Sequence, residues 1–312
     1  MCCLFGILDY GNTLTVRQRT KVLSILAASC EVRGTDATGI AYNTDSHLTI
    51  YKRPKAAHKM WFRLPIDANV IMGHTRMTTQ GDEKFNQNNH PFYGKAGDTP
   101  FALAHNGILM NDDELKMKYR LPKTNIETDS YVAVQLLERQ TDLSFESMAK
   151  VAEELEGSFT LSLLDNANNV YFIKGNNPLC LYYWRERNLY IYASTEEILK
   201  SALARIPYNF GIAESIEINE GDMMKISSSG VRETSQFSLQ NFYTYGYYGY
   251  PYRYFLYEWD DVEPKETGRS YKDILKSMAH TFGYSAEDVD TLLAEGFTLQ
   301  DIEDFFYEGV YC

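Results

Sequence analysis

At 312 residues the chain has ample length to bury a core, and 44% hydrophobic with 14% aromatic content marks it as globular rather than disordered. A net charge of −12 excludes extended contact with a nucleic-acid backbone, and fourteen acidic against four basic side chains over 258–312 put most of that charge in the tail. Five cysteines (Cys2, Cys3, Cys30, Cys180, Cys312) form no CxxC pair and have no histidines at zinc-ligand spacing, so neither a disulfide framework nor a metal site is expected. No run approaches the about eighteen apolar residues of a membrane span and no signal-peptide profile opens the chain, so a cytoplasmic protein away from membranes is expected.

The chain opens Met1-Cys2-Cys3-Leu4-Phe5. Residues 4–8 form an apolar run ending at the turn cluster 9–12, which predicts a buried strand. Cys2 reads two ways: as a small apolar residue at that strand's start, or, once Met1 is removed, as a residue carrying both a thiol and a free α-amine. The second pairs a nucleophile with a base whose reference pKa is about 7.7–8.0. Thr15 is placed to cap a helix running to about Ser29. A glycine-bracketed loop, Arg33-Gly34-Thr35-Asp36, feeds a strand that pairs as a hairpin with 48–51.

Residues 69–76 predict a second buried strand, ending on Arg76 beside the loop Met77-Thr78-Thr79-Gln80-Gly81. An arginine delivered there is either a surface side chain leaving a strand or a planar fork able to hold a carboxylate at two points. Residues 88–92 read as a polar loop. Residues 101–109 predict a strand broken by Asn106-Gly107, which is either a tight turn or an oxyanion hole made by the Asn106 amide and the Gly107 N–H. Helices are expected from 111–114, from 127–130 through Leu137, and over 145–155. In the second of these Thr128 or Asp129 is placed as an N-cap. Strands are then predicted at 159–164, 170–173, 179–184 and 189–193, a helix over 195–203, and short strands near 215–218 and 223–226. Strands, helices and strands again make an α+β layered fold.

Eight of the protein's 24 tyrosines lie within the fifteen residues 243–257, a composition that reads as a linker. Beyond it 271–282 has helical spacing, and a thirteen-residue pattern occurs twice, from Gly283 and from Gly296. Each copy places a Ser or Thr cap before an acidic residue three positions on, so a three-helix acidic module is expected.

The N-terminal thiol, the strand-end arginine, the Asn-Gly pair and the acid at a helix start together resemble the class II glutamine amidotransferases. The likeness is to the glutaminase domains of the phosphoribosyl-pyrophosphate and aminosugar-forming enzymes, and it covers roughly residues 2–225. It implies a four-layer αββα N-terminal-nucleophile hydrolase sandwich over 2–238, with 239–267 as linker and 268–312 as helical module. It also implies that Cys2 attacks the glutamine amide, and that Asn106 and Gly107 of His105-Asn106-Gly107 form the oxyanion hole. By the same resemblance Arg76 of Gly73-His74-Thr75-Arg76 would hold the α-carboxylate with Thr79 and the Gln80 backbone, and Asp129 of Thr128-Asp129-Ser130 would hold the ammonium group. Arg33 resembles the family's arginine near the nucleophile, and His90 in Asn89-His90-Pro91 belongs to its loop beneath the site. The family usually has glycine where Cys3 stands, and its aminosugar-forming members tryptophan where Met77 stands.

The implied activity is glutamine to glutamate and ammonia through a γ-glutamyl thioester, with L-glutamine as substrate and no cofactor or metal. The synthase domains that usually accompany the family do not follow residue 225, which suggests a stand-alone enzyme with an ammonia-accepting synthase or partner protein in trans. Two alternatives use the same features: an amidase for another γ-glutamyl amide, and an idle interaction protein recruiting through its acidic tail.

Overall fold

The apolar run at the start of the chain forms β1 (Cys3–Asp9), buried along its whole length in the computed structural model. The structure describes residues 2–45, 47–239, 272, 276, 279, 284–297, 299 and 302. Alternate side chains of β1 serve different layers, as the two-residue period of a strand dictates. Cys3, Phe5 and Ile7 pack with Val22, Leu23 and Leu26 of α1 (Val16–Ser29) and with Ile198 and Leu199 of α5 (Glu196–Arg205). Leu4 and Leu8 instead meet Ala102, Ala104, Leu164 and Phe172 of a second sheet. A fully buried side chain such as Phe5 contributes about 1.5–3 kcal/mol.

The first sheet runs β11-β9-β10-β1-β4-β2-β3, and joins to β1 the strands β2 (Ala37–Thr44), β3 (His47–Arg53), β4 (Val70–Arg76), β9 (Cys180–Trp184), β10 (Leu189–Ala193) and β11 (Glu214–Ile216). The second runs β13-β12-β8-β7-β6-β5, made of β5 (Phe92–Ala96), β6 (Thr99–Leu109), β7 (Gly157–Asp165), β8 (Val170–Lys174), β12 (Asp222–Ile226) and β13 (Arg232–Gln236). Its outer face is covered by α2 (Asp112–Lys118), α3 (Tyr131–Glu138) and α4 (Phe145–Ala152), through Leu115, Val132, Leu136, Met148 and Val151. Helix, sheet, sheet, helix is the αββα sandwich. Thr15 caps α1 as its sequence position implies, with Gln18 closing a capping box.

Three elements depart from the expectations. β6 is unbroken through Asn106-Gly107, because its ladder with β7 continues from Phe101 opposite Asp165 to Leu109 opposite Gly157. β5 has no counterpart among the expected elements, and the polar loop expected over 88–92 reaches only its first residue; Phe92, Gly94 and Ala96 alternate inward against Tyr93 and Lys95, a pattern too short to stand out. The polar edge strand β13 carries no apolar pattern at all.

The chain divides into two units, Met1–Gln240 and Asn241–Cys312. In the second, α6 (Ala286–Ala294) starts at the Ser285 cap, and Asp288 closes the box as its spacing implies. Val289 of α6 packs with Ala279 and Ile302. The tyrosine-rich stretch and most of the other two expected helices lie outside the described residues. Among the described residues no helix is long and apolar enough to cross a membrane.

Candidate active site

Strand parity brings the candidate residues to one end of the layer between the sheets. On β4 Val70 and Met72 face that layer, and His74 and Arg76 continue the same row. On β1 Leu4 and Leu8 face it, and Cys2 continues the row one residue before the strand. From the opposite sheet Ala102 and Ala104 of β6 face it, and Asn106 extends them. The register sets Cys3 opposite Thr75, which puts Cys2 beside Arg76, and Cys2 Sγ donates to the Met77 carbonyl at 3.5 Å. His74 Nε2 sits 2.9 Å from the His105 carbonyl, joining β4 to β6 immediately before Asn106.

Arg76 is buried, and its fork is fixed by three oxygens: Nη1 donates to Asn89 Oδ1 at 2.7 Å, and Nη2 to the carbonyls of Gln80 and Gly81 at 2.6 and 2.8 Å. The 77–81 loop therefore folds back over the guanidinium. The loop containing Arg33 braces it from the other side. The Asp36 N–H donates to the Arg76 carbonyl at 3.0 Å, and Asp36 Oδ2 accepts from the Thr78 N–H at 2.7 Å. A Cβ at Gly34 would stand 2.4 Å from the Arg76 carbonyl carbon, so only glycine admits this approach. Arg33 Nε donates to the Cys2 carbonyl at 3.0 Å.

Asn106 is fully buried, and neither Oδ1 nor Nδ2 has a hydrogen-bond partner. Gly107 has φ +144°, and a Cβ there would fall 1.9 Å from the Ser158 carbonyl oxygen, which excludes every other residue. Asp129 does not cap α3. The N-cap is Ser130, whose side chain makes no capping bond to the helix, while Asp129 Oδ2 accepts from the Leu109 N–H at 2.6 Å and Oδ1 from Ser130 Oγ at 3.3 Å. Ser130 Oγ in turn lies 2.7 Å from His105 Nδ1. The carboxylate is thus tied to the strand that carries Asn106.

Beneath these groups lie three buried histidines. The His90 ring sits 4.2 Å from that of His74 and 6.5 Å from that of His105, centroid to centroid. Burial holds all three pKa values below the ordinary imidazole value, His74 to about 3, so the cluster is neutral. Lys52 Nζ bonds the Asn89 and Pro91 carbonyls at 2.5 and 3.0 Å, and burial brings it down to about 8. Burial raises the Cys2 thiol, although the Met77 bond and the Arg76 charge pull the other way. A thiol in this position needs a base before it can attack.

Cys2, Arg33, Arg76, Asn106, Gly107 and Asp129 belong to this one linked set, and His90 lies under it. Thr79 is half-buried in the folded-back loop, and Gln80 spends its carbonyl on Arg76. The sequence reading assigned no role to Asn89, Asp36, Ser130 or His105, which hold the others in place. All four stand inside the motifs Arg33-Gly34-Thr35-Asp36, Asn89-His90-Pro91, His105-Asn106-Gly107 and Thr128-Asp129-Ser130, with no signal of their own. Among the described residues no group of three or more His, Cys, Asp or Glu could hold a metal ion.

Residues 74–201 match the family described as glutamine amidotransferase domain. The chain is 34% identical over 190 residues to glutamine–fructose-6-phosphate aminotransferase (isomerizing) of Staphylococcus aureus, and 32% identical over 188 residues to that of Staphylococcus epidermidis. These matches take in 58% and 57% of this chain, and it spans only about 30% of either relative's length. Among solved structures, glutamine phosphoribosylpyrophosphate amidotransferase from B. subtilis superposes with a TM-score of 0.61 at 20% identity. That fit covers 77% of this chain and 50% of the other, and supports the fold alone. Family match, relatives and αββα layering agree: residues 74–201 are similar to glutamine amidotransferase domains, and the fold is the one seen in the phosphoribosylpyrophosphate amidotransferase.

Proposed function

We propose that this domain hydrolyses the side-chain amide of L-glutamine with Cys2 as nucleophile, and that the ammonia passes in trans to an acceptor on another protein. The observation that carries the reading is the Asn106 side chain, fully buried on the inter-sheet face with both polar atoms unpartnered. A buried amide left without partners costs about 1–3 kcal/mol, and a ligand oxygen that needs a donor recovers it.

In the proposed reaction, removal of Met1 frees the α-amine of Cys2. The amine takes the thiol proton, and Sγ attacks the substrate's amide carbon. The developing oxyanion receives Asn106 Nδ2 and the Gly107 N–H. The amine returns its proton to the departing nitrogen, so ammonia leaves and a γ-glutamyl thioester remains. Water activated by the same amine cleaves the thioester, giving glutamate and restoring the thiol. Arg76 holds the substrate α-carboxylate, with Thr79 and the Gln80 backbone lining that end, and Asp129 holds the ammonium group. Arg33 fixes the Cys2 carbonyl, and His90 supports the loop beneath. Two opposite charges and a buried amide at one site suit a free amino acid better than a glutamine inside a peptide chain, whose α-amine and α-carboxyl are both in amide bonds.

The test is the intact mass of the purified protein before and after incubation with 6-diazo-5-oxo-L-norleucine, with the adduct mapped. The expected result is a chain lacking Met1, modified on Cys2 and releasing glutamate from glutamine. Retained Met1, or an adduct elsewhere, overturns the nucleophile assignment. Glutamate release that no added acceptor protein speeds argues for a simple glutaminase.

A further inference from the structure

We propose that Asn177 is a positioning residue of the oxyanion hole: its side-chain amide holds the Asn106 carbonyl and thereby turns the Gly107 N–H toward the substrate. Asn177 lies in the 175–179 connection between β8 and β9, a stretch that none of the roles above involves, and it is 6% exposed. Its Nδ2 donates to the Asn106 carbonyl at 2.9 Å. The carbonyl of one residue and the N–H of the next belong to a single planar unit and point in opposite directions across a trans peptide. Fixing the Asn106 carbonyl on one side therefore fixes the Gly107 N–H on the other.

Asn177 is itself immobilised. Thr160 Oγ1 donates to its carbonyl at 2.6 Å, and its N–H donates to the Phe159 carbonyl at 3.4 Å. The neighbouring Asn176 Oδ1 accepts from the Phe159 N–H at 3.0 Å. Phe159 is the residue opposite Gly107 in the β6–β7 ladder, and the 176–177 pair occupies both of its backbone groups. Gly107 and Phe159 are thus one of the ladder's non-hydrogen-bonded pairs, and the Gly107 N–H is directed away from β7. The approach is so close that a Cβ on Gly107 would lie 2.6 Å from Asn177 Nδ2. Glycine at 107 and asparagine at 177 therefore form one device: the first gives the peptide its conformation and the second holds it.

The inference rests on the glutaminase reading, and the experiment separates the two. Asn177→Ala and Asn177→Asp are made in the full chain. Glutamine turnover, inactivation by 6-diazo-5-oxo-L-norleucine, and Cys2 alkylation by iodoacetamide are measured on each, with melting curves to establish the folded fraction. The diazoketone presents a carbonyl oxygen to the oxyanion hole, whereas iodoacetamide alkylation at its methylene carbon generates no oxyanion. The expected result for Asn177→Ala is a fall in kcat of about 10- to 100-fold with KM within about threefold, since a misaimed donor loses part of the about 10²–10³-fold that one oxyanion donor supplies. Diazoketone inactivation slows in parallel, and iodoacetamide alkylation does not change. Asn177→Asp is at least as slow, because its carboxylate repels the Asn106 carbonyl. The inference is overturned if both variants keep kcat within twofold, if KM alone moves, or if iodoacetamide reactivity falls as far as kcat. Wild-type protein without glutamine turnover overturns the functional reading first, and this inference with it.

Discussion

Acid destabilises this fold through His74, and the size of the effect follows from its burial. His74 Nε2 donates to the His105 carbonyl at 2.9 Å, and burial, reinforced by the charges of Arg76 and Lys52, pushes its pKa down to about 3. In the unfolded chain the group titrates near about 6.5. Between these values the unfolded state binds one proton more than the folded state, so stability is fully present above about pH 6.5 and is lost as pH falls. At pH 5 the loss from His74 alone is about 2 kcal/mol, which for a unit of this size lowers the melting temperature by about 4–8 °C. His90 and His105 are depressed by burial too and add in the same direction. Melting curves of wild type and His74→Gln at pH 7.5, 6.5, 5.5 and 5.0 isolate the contribution of this one residue. The variant is expected to be less stable at pH 7.5 and to lose less between pH 7.5 and 5, by about one proton's worth of slope. Parallel pH dependences in the two proteins would refute the reasoning, because groups that titrate equally in both cancel in the comparison.

Two further substitutions separate catalysis from stability. Asn106→Ala is expected to lower kcat for glutamine by about 10²–10³-fold while leaving the melting temperature unchanged or higher, since it removes a buried amide without partners; a less stable variant with normal kcat would contradict both halves. Arg76→Lys keeps the charge but not the planar fork that reaches Asn89, Gln80 and Gly81 together. Its KM for glutamine is expected to rise about tenfold or more, and steady-state kinetics showing KM within twofold would remove Arg76 from carboxylate binding.

The layers of the fold were largely legible, because their strands carry continuous apolar runs and their helices carry caps. Residues 4–8, 69–76 and 159–164 announce buried strands by composition, and Thr15 and Ser285 announce helix starts. What could not be read is what depends on partners distant in sequence. β5 shows only Phe92, Gly94 and Ala96 of its inward row, and it becomes a strand by pairing with β6. The Asn-Gly signal at 106–107 favours a turn locally, and the ladder with β7 overrides it. Asp129 has the position of an N-cap, yet its carboxylate serves the Leu109 N–H twenty residues earlier, and no local pattern announces such a bond. Asn177 lies seventy-one residues from the carbonyl it holds.

Two adjacent thiols open the chain, and composition cannot choose between them. Parity does. A one-residue step along a strand moves a side chain to the opposite face. Cys3 pairs with Thr75, packs with Cys30 on the helix-facing side of the sheet, and donates to the Leu4 carbonyl at 3.4 Å. Cys2, one step earlier, continues the row of Leu4 and Leu8 toward the layer that Asn106 enters from the other sheet. The proposal of Cys2 as nucleophile therefore rests on the register of β1 on β4 as well as on its place next to Met1. Trimming one residue further would give Cys3 a free α-amine and still leave its sulfur on the wrong side of the sheet.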